Sequence, residues 1–146
     1  MNSTSTPTRI VVGVDGSDSS VDALAYAAGL AGLMNTSLEA VTTWEYPSAA
    51  MYETADWSPK RDAEELLEAA LTSAFGAERP AGLTTTIRQG GAARVLIDES
   101  EHAEMLVLGS RGHGGFAGLV LGSVSAACTA HGKCPVLVVH GDQRAA

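Results

Sequence analysis

The chain has 146 residues, 45% of them apolar and 18% charged, with a formal net charge of −8. That length suits one domain with a single core, and no apolar run reaches the roughly 18 residues of a membrane-spanning helix. The acidic balance excludes a broad nucleic-acid footprint, which needs clustered Lys and Arg. It does not exclude a single nucleotide, because repulsion between exposed charges is screened beyond about 8 Å at physiological salt.

The opening residues, "MNSTSTPT", are polar and lack the basic and apolar regions of a signal peptide. Residues 1–7 are expected to be a disordered tail and the protein to be cytoplasmic, with neither a membrane nor a nucleic-acid partner. "RIVVGVD", Arg9 to Asp15, is a valine-rich run that reads as a buried strand. "GSDSS" offers Ser17, Asp18 and Ser19 as helix N-caps. Val21, Leu24, Ala28 and Ala31 recur at helical spacing, so a helix runs to about Met34. "SLEAVTTW", Ser37 to Trp44, is the second strand. The following stretch has two prolines and no period, and reads as a long loop whose Tyr52 and Trp57 either pack over a ligand or, the favoured reading, seal the core edge.

Arg61 to Phe75 is helical, with Leu67, Leu71 and Phe75 on one stripe and Glu64, Glu65 and Glu68 facing solvent. "LTTTIRQ" is a β-branched strand, "GGAARVLIDESEHA" a helix, and "MLVLG", Met105 to Gly109, another apolar strand. Ser123 to His131 is a helix and "PVLVVH" the last strand. Strands and helices alternate, and the strands are continuous apolar runs of the kind found when helices cover both faces of a parallel sheet. The expected fold is a single doubly wound α/β domain over residues 8–140, with a five-stranded parallel sheet in the order 3-2-1-4-5. Residues 141–146 are expected to form a polar tail.

In such a sheet, ligands sit at the carboxyl ends of strands where the strand order reverses. Asp15 ends the first strand there and Gly109 the fourth. From Gly109 the chain runs through a glycine-rich segment, "GSRGHGGFAGLVLGSVS", and enters a helix at Ser123. A helix start presents unpaired amides and about half a positive charge, and glycines let phosphate oxygens approach the main chain. Ser123 can cap the helix or meet a phosphate, and Arg111 and His113 supply positive charge. The alternative for these glycines is a tight turn and a small-residue helix contact. "CTAHGKC" resembles metal-ligand spacing, but no fourth ligand is evident, so Cys128 and Cys134 are expected to be free thiols without metal.

The spacing Gly109-x2-Gly112-x9-Gly122-Ser123 resembles the ATP-binding members of the universal stress protein family. "IVVGVDGSDSS" is similar to that family's first strand and turn, and "CPVLVV" to its last strand. The resemblance implies ATP, with Mg²⁺, as ligand. Gly109, Gly112, Gly122 and Ser123 would hold ribose and phosphates, and Val124 and Ser125 would share the same helix turn. Asp15 would lie beside the nucleoside, near ribose or metal, and Val41 would bind adenine through its backbone. Gly13, Leu108, Arg111 and His113 complete the candidate set. The resemblance also implies a homodimer through Pro135–Val139. "RQGGAAR" departs from the family in lacking a proline near Gly91 or Ala92, which leaves that helix start less rigid.

No G-x-G-x-x-G follows the first strand and no G-x-S-x-G is present, which argues against a dinucleotide enzyme and an α/β-hydrolase. The turn "DGSDSS" departs from the S-G-G-x-D-S of the ATP pyrophosphatases. The third strand ends "IRQGG", without the acceptor aspartate of a response-regulator receiver. No catalytic residue is nominated. The expected function is an ATP-binding stress-response regulator with at most slow ATP hydrolysis or autophosphorylation, with phosphorylation of Ser123 or Ser125 left open. The alternative is a dimeric interaction module of the same fold without nucleotide.

Overall fold

A computed structural model of the chain describes residues 8–47, 57–111 and 121–140. The β-branched runs form strands β1 (Arg9–Gly13), β2 (Ser37–Trp44), β3 (Leu83–Gln89), β4 (Met105–Gly109) and β5 (Val136–Val139). Between them run helices α1 (Asp18–Met34), α2 (Pro59–Phe75), α3 (Ala92–Ser100) and α4 (Ser123–His131). The strands form one sheet in the order β3-β2-β1-β4-β5, every neighbouring pair parallel. This is the order expected from the alternating pattern.

Alternation along each central strand divides the core in two. Ile10, Val12 and Val14 pack with Leu24, Ala27, Leu67 and Leu71 beneath α1 and α2. Val11 and Val41 pack with Val95, Leu96, Leu106, Leu108 and Cys128 beneath α3 and α4. Burial on both faces is why β1 and β4 read as unbroken apolar runs. At the lower edge, Arg9 pairs with Glu39 and Glu99, while Arg88 also reaches Glu99. Thr86 donates to Glu39, so the polar residues of β3 close a network with α3. Among the described residues, no helix is long and apolar enough to cross a membrane.

Element ends moved where side chains intervene. β1 stops at Gly13 instead of Asp15, because the Asp15 carboxylate accepts the amide and hydroxyl of Ser17 at 2.9 and 2.6 Å and bends the chain. Of the three candidate caps, Ser17 is the one used, accepting the Ser20 amide at 3.2 Å. Asn35 ends α1 in the left-handed region at φ 55°. The buried stripe of α1 is Ala23, Leu24, Ala27 and Ala31; Val21 and Ala28 only flank it. α2 begins two residues earlier than Arg61, since Ser58 caps it and Pro59 fits the first turn. α3 is shorter than the Gly90–Ala103 expectation. Gly90 has φ +140°, outside the helical range, and supplies its amide to Trp44 of β2.

Both cysteines are free thiols. Burial pushes the Cys128 thiol up from 9.0 to about 11, and burial also raises Cys134. In the unfolded chain Cys128 deprotonates first, so above its unfolded pKa the native state binds more protons and stability falls as pH rises. Urea unfolding of the wild type is expected to lose about 2 kcal/mol between pH 9 and pH 11 from this thiol. Cys128→Ala should flatten that part of the slope. An identical slope in the variant would show that Cys128 does not titrate with unfolding.

Candidate functional site

The connection after β1 leads to α1 on one face of the sheet, whereas β4, on the other side of β1, leads towards α4 on the opposite face. Their divergence opens a cleft of about 600 Å³ at the carboxyl ends of the strands, the position expected for a ligand in this architecture. Gly13 and Asp15 line it from β1 and its turn, Val41 from β2, and Leu108, Gly109 and Arg111 from β4 and its exit. Gly122, Ser123, Val124 and Ser125 line it from the start of α4. Ten of the twelve candidate residues thus share one cleft; Gly112 and His113 lie outside the described residues.

Gly122, not Ser123, occupies the N-cap of α4, with no side chain bonded as a cap. Its amide donates to the Ser110 carbonyl at 2.7 Å and its carbonyl accepts the Ala126 amide at 2.9 Å. Gly122 therefore fastens the helix start to the end of β4. The next amides, of Ser123, Val124 and Ser125, belong to the first turn, which has no intrahelical acceptors. The Ser123 side chain stands exposed on that turn. The Ser125 hydroxyl is buried and lies 3.0 Å from the Ser110 carbonyl and 3.2 Å from that of Gly122. It is a strut of the turn, closed to a modifying enzyme in this conformation.

Two turns are laced together across the cleft. The Ser17 hydroxyl, held by Asp15, lies 3.4 Å from the Arg111 carbonyl, and the Arg111 amide faces the Ser19 hydroxyl at 3.5 Å. Gly109 sits against the same turn: a Cβ there would meet the Ser19 carbonyl carbon at 2.6 Å and its oxygen at 2.7 Å. The first turn of α1 rests directly on the end of β4. That packing requires glycine at 109 whether or not a ligand is bound.

The Val41 carbonyl accepts the Val14 amide at 2.9 Å, so it is already part of the ladder. The Trp44 carbonyl accepts Gly90 from the β3 side. Main-chain groups alternate sides along a parallel strand, so the backbone of Thr43, like that of Val41, faces the β1 side. There β1 has already turned away at Asp15, and Thr43 lines the cleft. Sequence reasoning missed Thr43. The available signal was length: β2 has eight residues against five in β1, so its last residues overhang. It also missed Thr42, whose hydroxyl donates to the Val14 carbonyl at 2.9 Å, and Trp44, Asp62 and Leu66, which wall the open end.

Among the described residues, no group of three or more His, Cys, Asp or Glu is placed to hold a metal ion. Cys128 is wholly buried.

A five-stranded, doubly wound parallel α/β domain with a cleft of about 600 Å³ at its switch point, lined by a helix start, is the class that the fold and the site define. Residues 7–140 match the model of the universal stress protein family, and the chain belongs to that family. It is 32% identical over 130 residues to a universal stress protein of Mycobacterium tuberculosis, covering 88% of this chain and 44% of that one. The chain spans about half the length of the curated relatives it matches. Among solved structures, it resembles the universal stress protein UspA from Lactobacillus plantarum with TM-score 0.73 and 20% identity, over 92% of this chain and 99% of that one. It is also similar to a universal stress protein in complex with cAMP, with TM-score 0.61 and 30% identity, over 94% of this chain and all of the other.

Proposed function

We propose that the cleft binds an adenine nucleotide, ATP with Mg²⁺, and that binding is the signal this stress protein carries. The observation that carries the reading is the start of α4, which turns its first amides, without a side-chain cap, towards a cleft of about 600 Å³. Uncapped amides and the helix dipole together favour an anion. In this reading the Ser123 and Val124 amides and the Ser123 hydroxyl take phosphate oxygens, and the Arg111 side chain adds charge at the rim. Gly112 and His113 belong to the same proposal. Asp15 faces the ribose, and the Thr43 main chain reads the base edge in place of Val41. Mg²⁺ would be held mainly by the phosphates, with Asp15 as the nearby carboxylate, and would neutralise phosphate charge.

Phosphoryl transfer needs groups arranged around the γ-phosphate, and we assign none. The proposal is therefore binding with at most slow hydrolysis. A relative complexed with cAMP makes cAMP and AMP the natural competitors. We further propose that β5, an edge strand whose four residues are all only half-buried, pairs with a second copy, since such edges are usually covered.

The expected result in calorimetry is saturable binding of Mg·ATP, with sedimentation showing a dimer at micromolar concentration. Protein that is purified free of nucleotide and gives no heat with ATP, AMP or cAMP would reject the nucleotide reading. A dimer that ignores all three would leave the interaction-module alternative standing.

A further inference from the structure

We infer that Trp44, held by Tyr46 and Trp57, is the wall against which the nucleobase packs, so that an aromatic ladder gives the cleft its preference for a planar ring. The inference rests on the cleft being the nucleotide site. Trp44 ends β2 and lines the cleft. Its ring meets Tyr46 edge-on, with centroids 5.3 Å apart and planes at 84°. Tyr46 meets Trp57 in the same way, at 6.4 Å and 80°. The Trp57 indole N–H donates to Asp62 Oδ2 at 3.2 Å, and Asp62 lines the cleft from the first turn of α2. The ladder therefore ties the end of β2 to the start of α2 across the open end of the cleft.

Core sealing does not account for this arrangement. Both tryptophans of the chain are in the ladder, yet Tyr46 is 48% and Trp57 36% exposed. Rings placed only to bury apolar surface would be covered. Here the outer two brace the inner one by edge contacts, which fix ring orientation. On the α2 side of the sheet, where alternation places Trp44 with Leu38 and Ala40, the cleft wall carries the apolar Pro59, Ala63 and Leu66, while the residues proposed to face phosphate sit on α4. A base has an apolar π-face and a polar edge, so it suits a wall of this kind beside the overhanging Thr43 main chain. Stacking on an aromatic side chain tolerates any base, so Trp44 favours a ring as such and Thr43 selects among rings.

The test compares Trp44→Leu and Trp44→Phe with wild type by calorimetry, using ATP and adenosine, with thermal melts on each sample. Trp44→Leu is expected to weaken both ligands about tenfold, as loss of one base–aromatic contact does. Trp44→Phe should restore most of the affinity, because it keeps a π-face. Wild type that binds no adenine nucleotide overturns the site itself. Wild type that binds, with Trp44→Leu equally tight, or with the two variants equally weak, overturns the ladder's role and leaves the site standing. Should Trp44→Leu fail to fold, Trp57→Phe leaves Trp44 as the single tryptophan. Its emission is expected to change on saturation with ATP, and unchanged emission at saturation also overturns the inference.

Discussion

Gly122→Glu is expected to lower the affinity for Mg·ATP at least about a hundredfold, a loss of about 3 kcal/mol, while the melting temperature stays within a few degrees of wild type. Gly122 has φ −75° and ψ 171°, extended backbone that any residue adopts, so the substitution brings no conformational strain. Its amide bond to Ser110 and its carbonyl bond to Ala126 involve main chain only, and both survive. A carboxylate at a helix start is itself stabilising. The fold thus has reason to persist. The new carboxylate would lie beside the Ser123 and Val124 amides and occupy them as an internal anion. It would repel a triphosphate at short range, where the cleft walls screen charge poorly. Gly122→Ala, which adds no charge, should retain most of the affinity. Calorimetry on the three proteins decides the matter: unchanged affinity in Gly122→Glu would place the phosphates elsewhere.

The legible part of this fold was whatever depends on one face or one period. β2, β3, β4 and α4 end where their sequence patterns end: burial on both faces leaves no alternative for a run such as "MLVLG", whereas β3, none of whose residues is buried, is marked by its β-branched residues. The α1 stripe was legible only roughly. Alanines make up most of its buried face, and in a helix rich in alanine several stripes look equally apolar. The glycine-rich segment pointed to the start of α4, but two of its residues have roles the pattern does not separate. Gly109 is fixed by contact with Ser19, ninety residues away in the chain. The Ser125 hydroxyl is used up on Ser110 and Gly122. Neither contact has a sequence signature, since both depend on how α1 and α4 lie across β4. Thr43 and Trp44 were hidden for a related reason. They belong to a strand that outruns its neighbour, and an overhang is a property of two strands in register, invisible in either one alone. Ser17 was legible as one of three caps; its bond to Asp15 selects it.

Gly109→Ala is expected to be the most destabilising single-methyl change among these glycines, at about 3 kcal/mol, or about 10 °C in melting temperature for a chain of this size. The added Cβ would lie 2.6 and 2.7 Å from the carbonyl carbon and oxygen of Ser19. These are main-chain atoms in the first turn of α1, so no rotamer change relieves the clash. The helix must lift from β4, and with it the wholly buried Ala23, Leu24 and Ala27, whose packing supports the sheet. The same displacement would part Ser17 and Ser19 from Arg111, so nucleotide affinity should fall along with stability. Gly29 and Gly32, in α1, are the controls. A Cβ at either position meets nothing within 4 Å, and alanine there should stabilise the helix by about 0.5–1 kcal/mol. One substitution type thus has opposite signs within one structural unit, decided by what lies beyond the missing methyl. Thermal melts of the three variants test this directly. A Gly109→Ala protein melting with the wild type would mean that α1 is not seated on β4, and the cleft geometry built on that contact would fall with it.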